Sequence, residues 1–498
     1  MMRLAGLSIL AALCGCDDFT TIAVNVRPTV KSATKLRVTL TNDGNTVTDE
    51  LSLGSKAFPL DFSYSTTGRT GDIEVQVDAL TSDDRLVGRG VLPVPASADQ
   101  ASITIDGPDF VVNTLYGGDQ LLSGDDDSSG FQLAANDDGK WTVAFRDGCA
   151  EGCDILARRF DANGDPINSE LATPPNAQFK LSTAAVTLAS TPALAAKNNL
   201  TLAVWDTGVG VLCRAIDQLG ASVTAPLQVS SDAMCDVVSL VGLSNNNFAV
   251  TWRSRDAQNV IRTMIIRPDC TALTSPAVAS TSAGIAATRP TVATKGGALV
   301  DNVLYAWILD GSVHIRGANP ANTFDTSTDI QLIAKTATEQ VEYVRVARST
   351  DGFAVFARWV TIDETSPTAT GKIVMYRVDP SGALLEPTEG IEITAEAGVD
   401  SKSVKSFGVA SRENDSMFVA WHACAQDDCG VFGRFIAADG LTLSSAVFEV
   451  ATTTTGDQTN PSVVGIPKIG FAVAWRDDSQ QGEDTSGSSV RARILYSP

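Results

Sequence analysis

Along most of the chain, apolar and polar residues alternate in short runs, the period-2 pattern of strands with one buried face. One such run keeps returning. Its clearest form is Ile469-Gly-Phe-Ala-Val-Ala-Trp-Arg-Asp477. Variants stand at Trp141-Thr-Val-Ala-Phe145, Leu202-Ala-Val-Trp205, Phe248-Ala-Val-Thr-Trp252, Val303-Leu-Tyr-Ala-Trp307, Gly352-Phe-Ala-Val-Phe356 and Met417-Phe-Val-Ala-Trp421. These seven copies recur about every 55 residues. A period of that length built from strands indicates a propeller or a β-solenoid rather than a helical array.

Each copy has the internal order of a four-stranded blade. A variable run such as Pro192-Ala-Leu-Ala-Ala196, Pro290-Thr-Val-Ala293 or Pro461-Ser-Val-Val464 leads through a Gly, Asn or Asp turn into the apolar phrase. A polar hairpin feeds a further strand, as in Leu156-Ala-Arg-Arg-Phe160 or Phe432-Gly-Arg-Phe-Ile436. A turn of the form Asp161-Ala-Asn-Gly164 follows, and a short strand such as Val447-Phe-Glu-Val-Ala451 completes the unit. Asp or Pro early and Gly late suit a type I turn that ends on a positive φ. The last copy stops at Pro498 one strand short, while Phe110-Val-Val-Asn-Thr114 echoes Phe448-Glu-Val-Ala-Thr452. The pattern therefore predicts an all-β fold. Over 109–498 it is a seven-bladed β-propeller with four-stranded blades, whose N-terminal strand closes the last blade and leaves no open edge in the ring.

Residues 21–108 read differently. Ile22-Ala-Val-Asn-Val26, Lys35-Leu-Arg-Val-Thr-Leu40, Asp72-Ile-Glu-Val-Gln-Val-Asp78 and Ala101-Ser-Ile-Thr-Ile105 are among six or seven alternating segments between Gly-, Asn- and Pro-rich breaks. They fit an immunoglobulin-like or prealbumin-like β-sandwich. The run from Gly71 through Gly88-Arg-Gly90 resembles the small β-sandwich modules that follow the anchor in envelope lipoproteins of Gram-negative bacteria. That resemblance implies a spacer and brings no catalytic motif.

The N-terminus sets the expected compartment. Met1-Met2-Arg3 is a short positive segment, and the apolar run Leu4 to Leu13 is too short to span a bilayer, so 1–15 reads as a signal peptide. The junction Leu13-Cys14-Gly15-Cys16 resembles the lipobox of bacterial lipoproteins. It implies cleavage before Cys16, acyl chains (diacylglycerol, palmitate) on the lipidated linker 16–20, and a membrane-anchored protein of the cell envelope. Asp17 and Asp18 follow; because the sorting rule for such residues differs among Gram-negative bacteria, inner and outer membrane both stay open.

Composition narrows the function classes. The net charge is −21 and no Lys/Arg-rich run occurs, which argues against nucleic acid as a partner. Only His314 and His422 exist, and no nucleophile elbow, phosphate loop or zinc-protease motif is present. Ser244-Asn-Asn-Asn-Phe-Ala-Val-Thr-Trp252 only partly resembles the boxes of sialidase-type propellers, with Asn246 where Asp belongs. Export permits disulfides. Hairpin-loop spacing suggests Cys149 with Cys153 and Cys424 with Cys429, and Cys213 is assigned to Cys235, leaving Cys270 over. No cofactor is expected, with calcium the one metal the spacing suggests: Asp125, Asp127 and Ser129 stand as in a calcium loop, although Asn136 replaces its closing Glu. Residues just beyond the apolar phrases, namely Arg146, Asp147, Asp206, Arg253, Asp310, His422, Arg476 and Asp477, should ring one face of the disc. These features point to a monomeric, non-enzymatic binding or scaffolding module for a protein or polysaccharide partner. The alternative is a polysaccharide hydrolase or lyase that uses a carboxylate pair.

Overall fold

The computed structural model describes residues 19–27, 30, 33–54, 56–82, 84, 86–114, 131–147, 154–183, 192–207, 210–231, 235–256, 259–281, 287–296, 301–326, 328–362, 371–395, 403–425, 428–481 and 487–496. The ordered structure among them is β throughout, and the chain divides into two compact units between Asp109 and Phe110.

In the first unit the alternating segments form two sheets. Phe19–Val26 lies between Leu60–Ser65, to which it is antiparallel, and Gln100–Ile105, to which it is parallel. The other sheet runs Asn45–Ser52, Lys35–Asn42, Asp72–Leu80, Leu86–Pro95, all antiparallel. Every second residue turns inward, so Ile22, Val24, Leu36, Leu40, Ile73, Val75, Val77 and Ile103 share one core. Each such buried aliphatic contributes about 1.5–3 kcal/mol. Gly90 lets Leu86–Pro95 press against Gln100–Ile105, since a Cβ there would lie 2.6 Å from the Thr104 carbonyl oxygen. Arg89 braces the same edge through a 2.6 Å ion pair with the buried Asp78.

The second unit contains seven four-stranded antiparallel sheets. The first six each use consecutive strands: from Phe131–Ala135 to Phe179–Lys180, Ala193–Lys197 to Leu227–Ser230, Cys235–Gly242 to Ala277–Val278, Ala287–Lys295 to Ile330–Ile333, Glu339–Ser349 to Ile391–Glu392, and Ser403–Ser411 to Phe448–Glu449. The seventh joins Gln458–Ile466, Gly470–Asp477 and Ser489–Tyr496 to a fourth strand, Phe110–Val111, in which Val111 pairs with Arg491. The first strands touch in order from sheet to sheet, and Gln458–Ile466 also touches Phe131–Ala135. The arrangement is propeller-like. The apolar phrases are the second strands, and Trp141, Trp205, Trp252, Trp307, Trp421 and Trp475 are all fully buried. Trp475 packs with residues of the sixth, seventh and first sheets, including Phe418, Phe471 and Trp141.

Two repeated devices hold neighbouring sheets together. In five sheets the same register position of the third strand is an arginine whose guanidinium donates to carbonyls of the preceding sheet's last strand or just beyond it. Arg158 reaches Val112 at 2.6 Å, Arg214 reaches Leu181 at 2.9 Å, and Arg316 reaches Ala279 at 3.0 Å. Arg434 reaches Ile393 at 3.0 Å, and Arg493 reaches Val450 at 2.8 Å. Met264 and Tyr376 hold this position in the third and fifth sheets. The second device is the turn after the third strand. Asp161, Asp217, Asn319, Asp379 and Asp439 each accept backbone N–H groups of their own turn. The residue that closes the turn has positive φ, glycine at Gly220 and Gly382 but Cys270 in the third sheet.

That turn corrects the cysteine assignment. Cys213 is bonded to Cys270, not to Cys235. The reason is the interlock of turns with the sheet before them: Ser169 of the first sheet donates to the Gly220 carbonyl at 2.8 Å, and one sheet on, Cys270 occupies the glycine's place and meets Cys213. Cys235 begins the first strand of the third sheet and is buried outside that bridge. The disulfide thus spans the second and third sheets, where the arginine is missing. Cys424 and Cys429 are bonded within the sixth sheet. Cys16, Cys149 and Cys153, and the calcium-loop residues Asp125, Asp127 and Ser129, lie outside the described residues.

Candidate functional site

The first strands of five sheets share an irregularity that shapes the centre of the second unit. Register with the second strand slips between Asp236 and Val238, Thr288 and Thr291, Val341 and Tyr343, Val404 and Phe407, and Thr459 and Ser462. An extra residue in one strand re-aims its side chain. The residues so displaced include Arg289, Glu342, Lys405, Ser406 and Asn460. Arg289 and Asn460 occupy the same place, each before a proline and each at φ 53°. Asn tolerates this left-handed conformation; Arg does so at a cost of about 1–2 kcal/mol.

Below these bulges lies a cavity of about 180 Å³ lined by the first strands of all seven sheets. Its polar lining is Gln132, Ser239, Arg289, Thr291, Arg345 and Ser462, with Leu133, Leu194, Val292, Val346, Phe407 and Val463 among the apolar groups. Among the described residues, no carboxylate is in the lining. The Arg289 guanidinium carbon sits 4.3 Å from the centre of the Tyr343 ring, and that of Arg345 4.8 Å. Tyr343 is itself buried. Arg289 donates to the Glu342 carbonyl. Arg358 forms a 2.8 Å ion pair with the Glu342 carboxylate and donates at 2.7 Å to the Val404 carbonyl. Burial, opposed by Tyr343 and Glu342 but reinforced by Arg345 and Arg358, pulls the Arg289 pKa down.

His422 closes one side of this cluster. Its Nδ1 accepts the Asn460 backbone N–H at 3.2 Å and lies 2.8 Å from the Ser406 hydroxyl, which also reaches the Asn460 side-chain oxygen at 3.1 Å. Burial, with the nearby positive charges of Arg358 and Lys405, lowers its pKa to about 3. The ring is therefore neutral at pH 7. It fixes the bulge and is too weak a base for proton abstraction.

The other members of the expected ring divide by burial. Asp206 and Asp477 have no exposed surface, which corrects the expectation that they emerge on the face. Asp477 is consumed by a 2.7 Å ion pair with Arg491 and by hydrogen bonds from Gln458 and Ser479. A carboxylate at the end of a second strand is buried here, and for Asp477 the adjacent strand supplies the cation. Asp206 raises the pKa of the buried Arg146 against the dominant lowering by burial, so this pair too is internal. Arg476 pairs with Asp478 at 3.0 Å, and Asp310 occupies the exposed hairpin turn of the fourth sheet with Lys335 at 2.7 Å. Asp147 and Arg253 are half-buried near the ends of their strands. His314 is bound at 2.8 Å to Asp329 on the fourth sheet's outer strands. Of the expected ring, the structure brings only His422 beside the central cluster. Arg289, Tyr343, Arg345 and Arg358 were missed. The one signal for them was Arg289-Pro290 standing where the last repeat has Asn460-Pro461.

Among the described residues no group of three or more His, Cys, Asp or Glu could hold a metal ion. None of their helices is long and apolar enough to cross a membrane.

No protein-family model matches the chain, and no similar curated protein is found. Among solved structures, a protein of unknown function from Dyadobacter fermentans DSM 18053 is 10% identical and matches 79% of this chain and 99% of its own, with a TM-score of 0.46. An ulvan lyase of a polysaccharide lyase family is 10% identical over 77% of this chain and 96% of its own, with a TM-score of 0.47. An α-L-arabinanase from Cellvibrio cellulosa is 10% identical over 50% of this chain and 92% of its own, with a TM-score of 0.32. Likeness this distant carries nothing about chemistry, so function has to be argued from the central cavity itself.

Proposed function

We propose that the chain is a lipid-anchored protein of the bacterial cell envelope in which a β-sandwich spacer carries a seven-bladed propeller, closed by Phe110–Val111, that binds a polysaccharide at its centre without transforming it. One observation carries the binding reading. The cavity drawn from all seven first strands is lined by arginines, hydroxyl residues and an amide, the donors that hold a hydroxyl-rich ligand, and among the described residues by no carboxyl group. A carboxylate-pair glycosidase would need two carboxyls roughly 5 to 10 Å apart across its cleft. The anchor rests on the lipobox-like junction before Cys16.

The test is affinity electrophoresis of the full-length protein, extracted in mild detergent, through gels containing purified envelope polysaccharides. Retardation without release of reducing ends or unsaturated sugars is expected. Ser239→Trp combined with Ser462→Trp, which fills the cavity, should abolish it. Release of new chain ends by the wild type would overturn the reading in favour of a hydrolase or lyase. Mass spectrometry of the extracted N-terminus should find acyl chains on Cys16, and an unmodified terminus would remove the anchor.

A further inference from the structure

We propose that Arg289 and Arg345 form a clamp for an oxyanion, a carboxylate or sulfate borne by the single sugar ring or terminal group of the polysaccharide that enters the cavity; this rests on the central cavity being the binding site. Three independent observations converge on it. The first is placement. Both arginines belong to the cavity lining, and their guanidiniums stack on the buried Tyr343 ring, which holds them side by side. Planar guanidiniums match the two oxygens of a carboxylate or sulfate.

The second is charge. Arg345 and Arg358 both act on Arg289 as like charges, and the nearby Glu342 carboxylate is paired with Arg358. Arg345 donates to the Val344 carbonyl at 3.0 Å and stacks on Tyr343, and among the described residues no carboxylate pairs with it. An anion that enters beside like charges gathered in a partly desolvated site relieves their repulsion. The chain as a whole carries 58 acidic against 37 basic side chains, so this excess of cations at the centre runs against the composition. A local positive field inside an acidic molecule favours ligands that carry a fixed anion.

The third is strain. Arg289 takes a left-handed backbone conformation directly before Pro290, where the last sheet places the far better suited Asn460 before Pro461. A long cation kept at a site that favours Asn indicates a task for its side chain. Its hydrogen bond to the Glu342 carbonyl spans the fourth and fifth sheets, but a carbonyl needs no guanidinium and does not explain Arg345. The cavity, about 180 Å³, falls below the roughly 300–1,000 Å³ of sites for drug-sized molecules, which limits the occupant to a single ring or terminal group.

Isothermal titration calorimetry on the full-length protein in detergent, at low ionic strength, tests this with D-glucuronate, inorganic sulfate and D-glucose as probes. D-Glucuronate should bind and D-glucose should not, and Arg289→Asn and Arg345→Gln should each weaken glucuronate by roughly tenfold or more. Sulfate as tight as glucuronate would mean that the clamp reads the anion alone; weaker sulfate would mean that it reads a ring-borne carboxylate. Either result supports the clamp. D-Glucose binding as tightly as glucuronate, unchanged affinity in both arginine variants, or no binding of either anion would overturn it. If polysaccharide is still retained by the wild type and lost on filling the cavity, central binding survives without the clamp. Retention by the cavity-filled variant would remove both.

Discussion

Two sets of arginines in the second unit have the same chemistry and opposite surroundings. Those between sheets, such as Arg316, are used up by the fold: its guanidinium donates to the carbonyls of Val278, Ala279 and Thr326 and covers the Phe324 ring at 3.9 Å. Those at the centre, Arg289 and Arg345, stack on one tyrosine, crowd each other and face a cavity. Where a guanidinium answers otherwise orphaned carbonyls, it is part of the scaffold. Where it is held against its like at the wall of a cavity, it is placed to meet a ligand. The difference between the two sets is therefore one of partners, and it can be broken by substitution.

The largest effect is expected between sheets. Arg316→Met keeps the stem and removes every donor, leaving buried carbonyls unmet, and should lower stability by about 3 kcal/mol in urea titration. A loss below about 0.5 kcal/mol would show that these arginines are surface decoration.

The next effect reports on the field at the centre. His422 takes up a proton near pH 6.5 in the unfolded chain but only near pH 3 when folded, because burial and then Arg358 and Lys405 disfavour its charge. Acid therefore favours the unfolded state. This contribution is whole above about pH 6.5 and fades as pH falls towards 3, with about 2 kcal/mol lost between pH 6.5 and 5. The urea midpoint of the wild type should drop over that interval more steeply than that of His422→Gln. Parallel slopes would mean that the histidine takes up its proton in the folded chain as readily as in the unfolded one.

The smallest effects belong to the central pair. Arg345→Gln removes no buried ion pair, and stability should change by less than about 0.5 kcal/mol. Arg289→Asn gives up the hydrogen bond to the Glu342 carbonyl and the Tyr343 ring contact in return for relief of a left-handed arginine, and stability should change by no more than about 1 kcal/mol. A loss near that of Arg316→Met in either variant would place these residues with the scaffold and erase the contrast.

The strands of both units were legible because alternation with a period of 2 is a local property: Leu36, Val38 and Leu40 announce a buried face without knowledge of what covers it. The repeat made the four-stranded sheets legible too, and the echo of Phe448-Glu449 in Phe110-Val111 anticipated the pairing of Val111 with Arg491. The cysteine pairing was not legible, since it depends on a turn in one sheet reaching a strand in the sheet before it. Nor was the role of Asp477, which is fully buried and whose partner Arg491 stands on the adjacent strand.

The sequence by itself determined a β architecture, its period and the tryptophans of its core, because burial of alternate residues in short strands is written in nearest-neighbour order. Only the tertiary structure decided what the charged residues do. Among the described residues, the first strands of seven sheets line one cavity, and five of them bulge. Residues such as Arg289 and Arg345, dozens of positions apart in the chain, thereby meet over one ring. Electrostatic energy depends on distance and burial, and neither exists until the sheets have packed.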